Sequence, residues 1–237
     1  MSSHLHSDLA PLGKIRAGIN FGNALLANRD VDGAPRGIAV DLAQEFAQRL
    51  GVPLEIVSYE TAGKMADGAK AGAWDVAFLA TDPDRATEII FTAPYLEIPT
   101  TYLVPTISPL RTSADADREG IRIAVSAKSA YDLFLTRELK HAQLVREAGV
   151  AASVDLFFAE GLDALAGLKP FLIDLAEKHP GTRVLDGHFT VVQQAVGVPK
   201  GHNAAARHIA EFVADLKGSG LIATLIKKNG IRGISLP

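Results

Sequence analysis

Strand-like and helix-like hydrophobic patterns alternate along this chain, and that alternation leaves few architectures open. Short apolar runs at residues 15–19, 54–57, 76–79 and 121–125 are spaced by segments with apolar residues at helical intervals. A βα rhythm of this kind implies mainly parallel strands with helices packed on their faces, an α/β fold rather than an all-β or all-α one. Asp41 is predicted to open a helix with Leu42, Ala43, Phe46, Ala47 and Leu50 on one face, Gln44 at its third position and Gly51 just past its end. A weaker helix is expected over residues 61–71, and Pro83 stands where a first helical turn tolerates proline. A second βα unit runs from the strand at 121–125 into a helix at 130–139, with further short elements at 163–166 and 169–178. A strand at 190–198 and helices at 203–216 and 221–228 close the chain.

Composition narrows the partners. With 48% hydrophobic residues, 237 residues supply cores for one large or two small domains. The 24 Lys and Arg are scattered against 27 Asp and Glu, which leaves no electrostatic footprint for nucleic acid or an anionic membrane. Cysteine is absent, so there is no disulfide framework, thiolate nucleophile or Cys-ligated zinc. The seven histidines have no zinc-like spacing, and neither a phosphate-cradling glycine loop nor a Gly-x-Ser-x-Gly elbow occurs; no cofactor is expected. The start, Met1 to Asp8, lacks the basic and apolar regions of a secretory signal, and no apolar stretch reaches membrane-spanning length. A soluble protein without membrane insertion is expected, its signal either removed or never present.

Five short motifs stand in sequence: Gly37-Ile-Ala-Val-Asp41-Leu-Ala, Leu50-Gly51-Val52, Ala73-Trp74-Asp75-Val76, Thr81-Asp-Pro-Asp-Arg85 and Ile90-Phe91-Thr92-Ala93-Pro94-Tyr95. Each is weak by itself. In this order the chain resembles the extracellular solute-binding proteins that feed polar amino acid uptake transporters of the ABC type, from about Lys14 to Gly230, and Ala195 to Gly201 is similar to that family's return from lobe two to lobe one. The resemblance implies a two-lobed periplasmic-binding-protein-like fold of type II, with a small carboxylate ligand taken up in a cleft between lobes joined by two hinge crossings, near residues 101–105 and 190–196. The chain is then divided into an arm at 1–13, lobe one at 14–104 plus 195–237, and lobe two at 105–194. A monomeric periplasmic receptor for an ABC permease is implied; a cytoplasmic binder or sensor is the alternative.

Arg85 is the foremost site candidate, because a guanidinium meets a carboxylate with a planar fork of donors, and it matches the arginine that grips the ligand in the family. The plainer reading pairs it with Asp82, Asp84 or Glu88 at the surface. The stretch from Asp75 to Arg85 is shorter than the family's, which also bears on the neighbouring candidates Ala80 and Thr81. Ser126, Lys128, Ser129 and Tyr131 lie between a strand and a helix, where free N–H groups and the helix dipole favour an anion; Lys128 occupies the family's glycine position, and Ser129 is read equally well as a helix cap. Phe21 and Asn23 fall in the first strand-to-helix loop, where the family places an aromatic residue over the ligand, although Phe21 is readable as core. Gln193 and Gln194 alternate across a hinge strand, so one of them should face inward.

One family feature is missing. Amino acid binders of this family carry an acidic side chain shortly past a motif resembling Gly161-Leu162-Asp163-Ala164, where it pairs with the ligand's ammonium. This chain has Gly167 or Leu168 there, and burying an ammonium without an anionic partner is costly. A related organic acid is therefore the expected ligand ahead of an amino acid, with Asp163 or Glu160 as substitutes only in a shifted register, and Lys128 able to extend the preference to a dianion. Cyclohexadienyl dehydratases share this fold, so an enzyme reading stays open; it would need a poised acid, and Asp82, Asp84 and Glu97 are the carboxylates available near Arg85.

Overall fold

A computed structural model describes residues 9–237; positions 1–8 of the expected arm, with His4 and His6, lie outside the described residues. The described chain forms two compact units. The first comprises the chain up to Leu96 together with Gln193–Ile231 and Leu236–Pro237, and the second comprises Glu97–Val192 with Arg232–Ser235.

In the first unit, strand β1 (Ile15–Asn20) lies between β4 (Leu54–Tyr59) and β5 (Val76–Ala80), parallel to both. Asn20 stands opposite Tyr59 and Ala17 opposite Val76 in the register. All five residues of β5 are buried, as expected of a parallel strand covered on both faces. The returning strand β12 (Thr190–Pro199) pairs antiparallel with β5, and β6 (Ile89–Phe91) pairs with β12. A two-residue hairpin pair, β2 (Asn28–Arg29) and β3 (Pro35–Arg36), stands apart from this sheet.

Helix α1 (Ile38–Leu50) buries the expected face and ends at Gly51 in the left-handed conformation. Its start corrects the sequence reading. Gly37 caps it at φ 115°, and the Leu26 carbonyl accepts the Ala39 N–H at 3.1 Å, so no side-chain cap is needed. A Cβ at Gly37 would lie 2.4 Å from that carbonyl oxygen, which explains why glycine heads the motif. Asp41 is relieved of capping and instead accepts from Lys228 Nζ and Asn229 Nδ2, both at 2.7 Å. Helices α6 (Asn203–Gly218) and α7 (Leu221–Lys228) complete this unit, with Phe212 4.7 Å from Phe46, ring to ring. The short helix α2 (Ala62–Asp67), capped by Thr61, closes a cluster of Met65, Trp74, Ala77, Leu79 and Ile89.

In the second unit, β8 (Arg122–Ser126) lies between β10 (Ala164–Leu168) and β9 (Gln143–Glu147), parallel to both, and β7 (Leu96–Pro105) runs antiparallel to β10. Strand β11 (Thr182–Val184) pairs with β7. Helices α3 (Ala130–Glu138), α4 (Val150–Ala159) and α5 (Lys169–Lys178) pack around this sheet, and Leu103, Ala124, Phe157, Leu165 and Leu172 make the core. The chain passes between units within β7, at Leu96–Glu97, and within β12, at Val192–Gln193.

Candidate functional site

Loops at the C-terminal ends of parallel strands are where open α/β sheets bind ligands, and most of the candidates lie there in their own unit. In the first unit, β5 ends at Ala80, whose carbonyl accepts a 2.8 Å hydrogen bond from Arg85 Nη1. Thr81 N donates to Gln193 O at 2.9 Å. Asp82 is buried beside them, and its carboxylate takes the Asp84 N–H at 2.8 Å. Arg85 opens a short 3-10 turn and is only 6% exposed. Burial pushes its guanidinium down to about 10, against the pull of Asp82 and Asp67, so it stays charged at neutral pH. Ala80, Thr81, Arg85 and Gln193 are thus gathered in one place. The Gln pair alternates as expected: Gln194 is the buried member and Gln193 the exposed one.

One strand across, Phe21 leaves β1 with its N–H on Tyr59 O at 2.7 Å. Asn23 forms the following turn, its carbonyl accepting from Leu26 and Ala27. The Phe21 ring is half-buried, and the Arg29 guanidinium lies over it, 4.3 Å from the centroid. Arg29 is a neighbour that the sequence reading missed, because the contact is made by a hairpin tip and follows no periodicity.

In the second unit, Ser126, Ser129 and Tyr131 are buried together where β8 gives way to α3. Burial pushes the Tyr131 hydroxyl up to about 12, while its hydrogen bonds with Ser129 and Ser126 oppose the shift. Ser129 caps α3, accepting the Asp132 N–H at 3.0 Å. Lys128 has φ 56°, a left-handed value that glycine adopts freely, and its N–H donates to the buried Asp132 carboxylate at 2.8 Å. Arg146 Nε reaches the same carboxylate at 2.9 Å. Asp132, also missed in the sequence, therefore pins this loop, and the N–H groups of Lys128, Ser129 and Asp132 are used internally.

A left-handed lysine costs about 1–2 kcal/mol that glycine does not incur, against glycine's larger unfolded-state entropy. Lys128→Gly should therefore hold stability or raise it by up to about 1 kcal/mol, read from urea unfolding of the ligand-free protein. A drop of about 1 kcal/mol or more would mean that the lysine side chain supplies contacts that outweigh the strain.

The carboxylates considered as substitutes lie elsewhere in this unit. Asp163 accepts the Arg122 N–H at 2.8 Å, and Glu160 takes Arg122 Nη2 at 2.6 Å. Arg122 begins β8, whereas Ser126 ends it, so the two acids sit at the opposite sheet edge, about 13 Å from the Ser126 end. At the C-terminal end of β10 stand Leu168 and then Lys169, whose Nζ donates to Gly187 O at 3.3 Å. Among the described residues there is no cluster of three or more His, Cys, Asp or Glu able to hold a metal ion, and no helix is long and apolar enough to cross a membrane.

Known proteins resemble this arrangement at two levels. In overall structure the chain is similar to the P235GK mutant of ArgBP from T. maritima, with TM-score 0.82 and 22% identity over 96% of this chain and 100% of that one. It is likewise similar to the solute receptor for L-cysteine of Neisseria gonorrhoeae, with TM-score 0.81 and 22% identity over 92% and 89%. The ancestral amino acid-binding protein AncCDT-1, a precursor of cyclohexadienyl dehydratase, follows at TM-score 0.79 and 21% identity over 95% and 99%. At such identities the likeness speaks to the fold, which is the two-lobed α/β fold of periplasmic binding proteins. In sequence, 97 residues are 32% identical to membrane-bound lytic murein transglycosylase F of Saccharophagus degradans, a match spanning 40% of this chain and only 19% of that protein. The family of bacterial extracellular solute-binding proteins, family 3, matches from residue 15 to residue 230, nearly the whole described chain, and this protein belongs to it.

Proposed function

We propose that this solute-binding protein captures a small carboxylate lacking an α-amino group, a hydroxy, oxo or aromatic acid, and delivers it to an ABC-type permease on the outer side of the cytoplasmic membrane. Arg85, Ala80, Thr81, Phe21, Asn23 and Gln193 are its ligand-binding residues on the first unit, and Ser126, Lys128, Ser129 and Tyr131 those on the second. One observation carries the ligand class. The chain keeps a buried guanidinium in Arg85, yet the end of β10 offers Leu168 and Lys169 where an ammonium would need a carboxylate, and Asp163 and Glu160 are committed to Arg122 at the far edge. A zwitterion would find no carboxylate at that strand end for its ammonium. A plain acid avoids that cost.

A calorimetric panel that pairs each amino acid with its deaminated analogue tests this reading. The analogues should bind tighter by about tenfold or more, since an unpaired buried charge costs upwards of about 1.4 kcal/mol. Amino acids that bind tighter than their analogues would reverse it.

A further inference from the structure

The Phe21 ring is the surface on which a cationic ligand side chain would gain most, because an aromatic face attracts a guanidinium or ammonium. In this protein that face already carries a cation. Arg29 lies 4.3 Å over the ring, and two hydrogen bonds hold it there: Nη1 to Gly33 O at 3.1 Å across its own hairpin, and Nη2 to Ser58 Oγ at 3.0 Å on β4. No ion pair of Arg29 with a carboxylate is found among the described residues. Two of its five N–H donors are used in this way, which leaves a charged, exposed edge with donors to spare.

Its position relative to Arg85 follows from the sheet. The strand order β4–β1–β5 puts Ser58, the anchor of Arg29, on one side of Phe21, and Ala80, the anchor of Arg85, on the other. Neighbouring strands are about 4.8 Å apart, so the two anchors are separated by on the order of 10 Å. Both anchors stand at the C-terminal ends of their parallel strands, and a separation of that order, less charge-assisted contacts of about 2.8 Å at each end, matches the reach of a short acid with two anionic groups.

We infer that Arg29 is a specificity-determining residue that recognises a second anionic group, making the ligand a short dicarboxylate and turning cationic ligands such as arginine away. This inference rests on the carboxylate reading above, with Arg85 taking one carboxylate and Arg29 the other. It explains the stacking as a positioning device: the ring and Ser58 hold the guanidinium in place before the ligand arrives, which lowers the entropy lost on binding.

The test is calorimetry on the full chain with glutarate, butyrate and L-arginine, for wild type, Arg29→Gln, Arg29→Lys and Arg85→Ala. Wild type should bind glutarate about tenfold or more tighter than butyrate, the worth of one charged hydrogen bond, and should bind L-arginine most weakly. Arg29→Gln should bring the glutarate-to-butyrate ratio close to one and strengthen L-arginine. Arg29→Lys keeps the charge without the planar stack and covers the case of a hairpin that fails to settle; it should retain more of the ratio than Arg29→Gln. A purely structural role would weaken both acids together and leave the ratio unchanged. If Arg85→Ala removes both acids while Arg29→Gln leaves the ratio intact, the carboxylate reading stands and the Arg29 inference falls. If wild type takes up neither acid, or prefers L-arginine, the inference falls, and the wider panel of acids decides whether the carboxylate reading falls with it.

Discussion

Arg85→Ala should raise the Kd for the tightest-binding carboxylate by about a hundredfold or more, because removing one partner of a buried charge pair costs on the order of 2–5 kcal/mol. Arg85 is 6% exposed, so little water screens the interaction. The substitution also frees the Ala80 carbonyl, which Arg85 Nη1 holds at 2.8 Å, and a modest fall in stability of about 1–3 kcal/mol is expected alongside. Arg85→Lys separates the two effects. It keeps a positive charge near a carboxylate but loses the fork, so its affinity should fall between wild type and alanine. An unchanged Kd in Arg85→Ala, accompanied by the loss of stability, would reassign Arg85 to pinning the end of β5.

The largest loss of stability is expected at Trp74. Its side chain is 1% exposed, its Nε1 donates to Met65 O at 2.8 Å, and two glycines make room for its ring. A Cβ at Gly68 would come 2.9 Å from Nε1, and one at Gly18 would come 3.2 Å from Cδ1. Trp74→Ala should cost about 3–5 kcal/mol through the cavity left among Met65, Leu79 and Ile89. Trp74 is the single tryptophan of the chain, so the comparison calls for circular dichroism in urea rather than fluorescence. A loss under about 1 kcal/mol would mean that this cluster collapses around the gap or contributes little.

How far the sequence could be read depended on whether the signal was local. Helix α1 shows its face and its Gly51 stop through spacing alone, but its start was misjudged, because Asp41 has the chemistry of a cap while the cap is supplied by a distant Leu26 carbonyl behind Gly37. Strand β9, with only Leu144 and Val145 half-buried at the sheet's edge, has too weak an alternation to register. Helix α4 is apolar on several sides, so the period that marks a helix is blurred. The same division runs through the site residues. Ser129 as a cap follows from its neighbours in sequence, and Lys128 in a glycine position from the family resemblance. The stacking of Arg29 on Phe21 and the hold of Asp132 on Lys128 depend on side chains meeting through tertiary structure, and no motif announces them.

The division of the chain between its two units sets an order of assembly. Nearly all of the second unit is one unbroken stretch, Glu97–Val192, and its core can close as soon as that stretch has left the ribosome. The first unit must wait. Its β5 has β1 on one side but nothing on the other until β12 is made, and Phe46 lacks Phe212 until the last helices emerge. Those pairings span more than a hundred residues of intervening chain, a separation that slows folding and leaves apolar surface uncovered in the meantime. During synthesis, then, the half of the molecule that carries Arg85 begins first and finishes last.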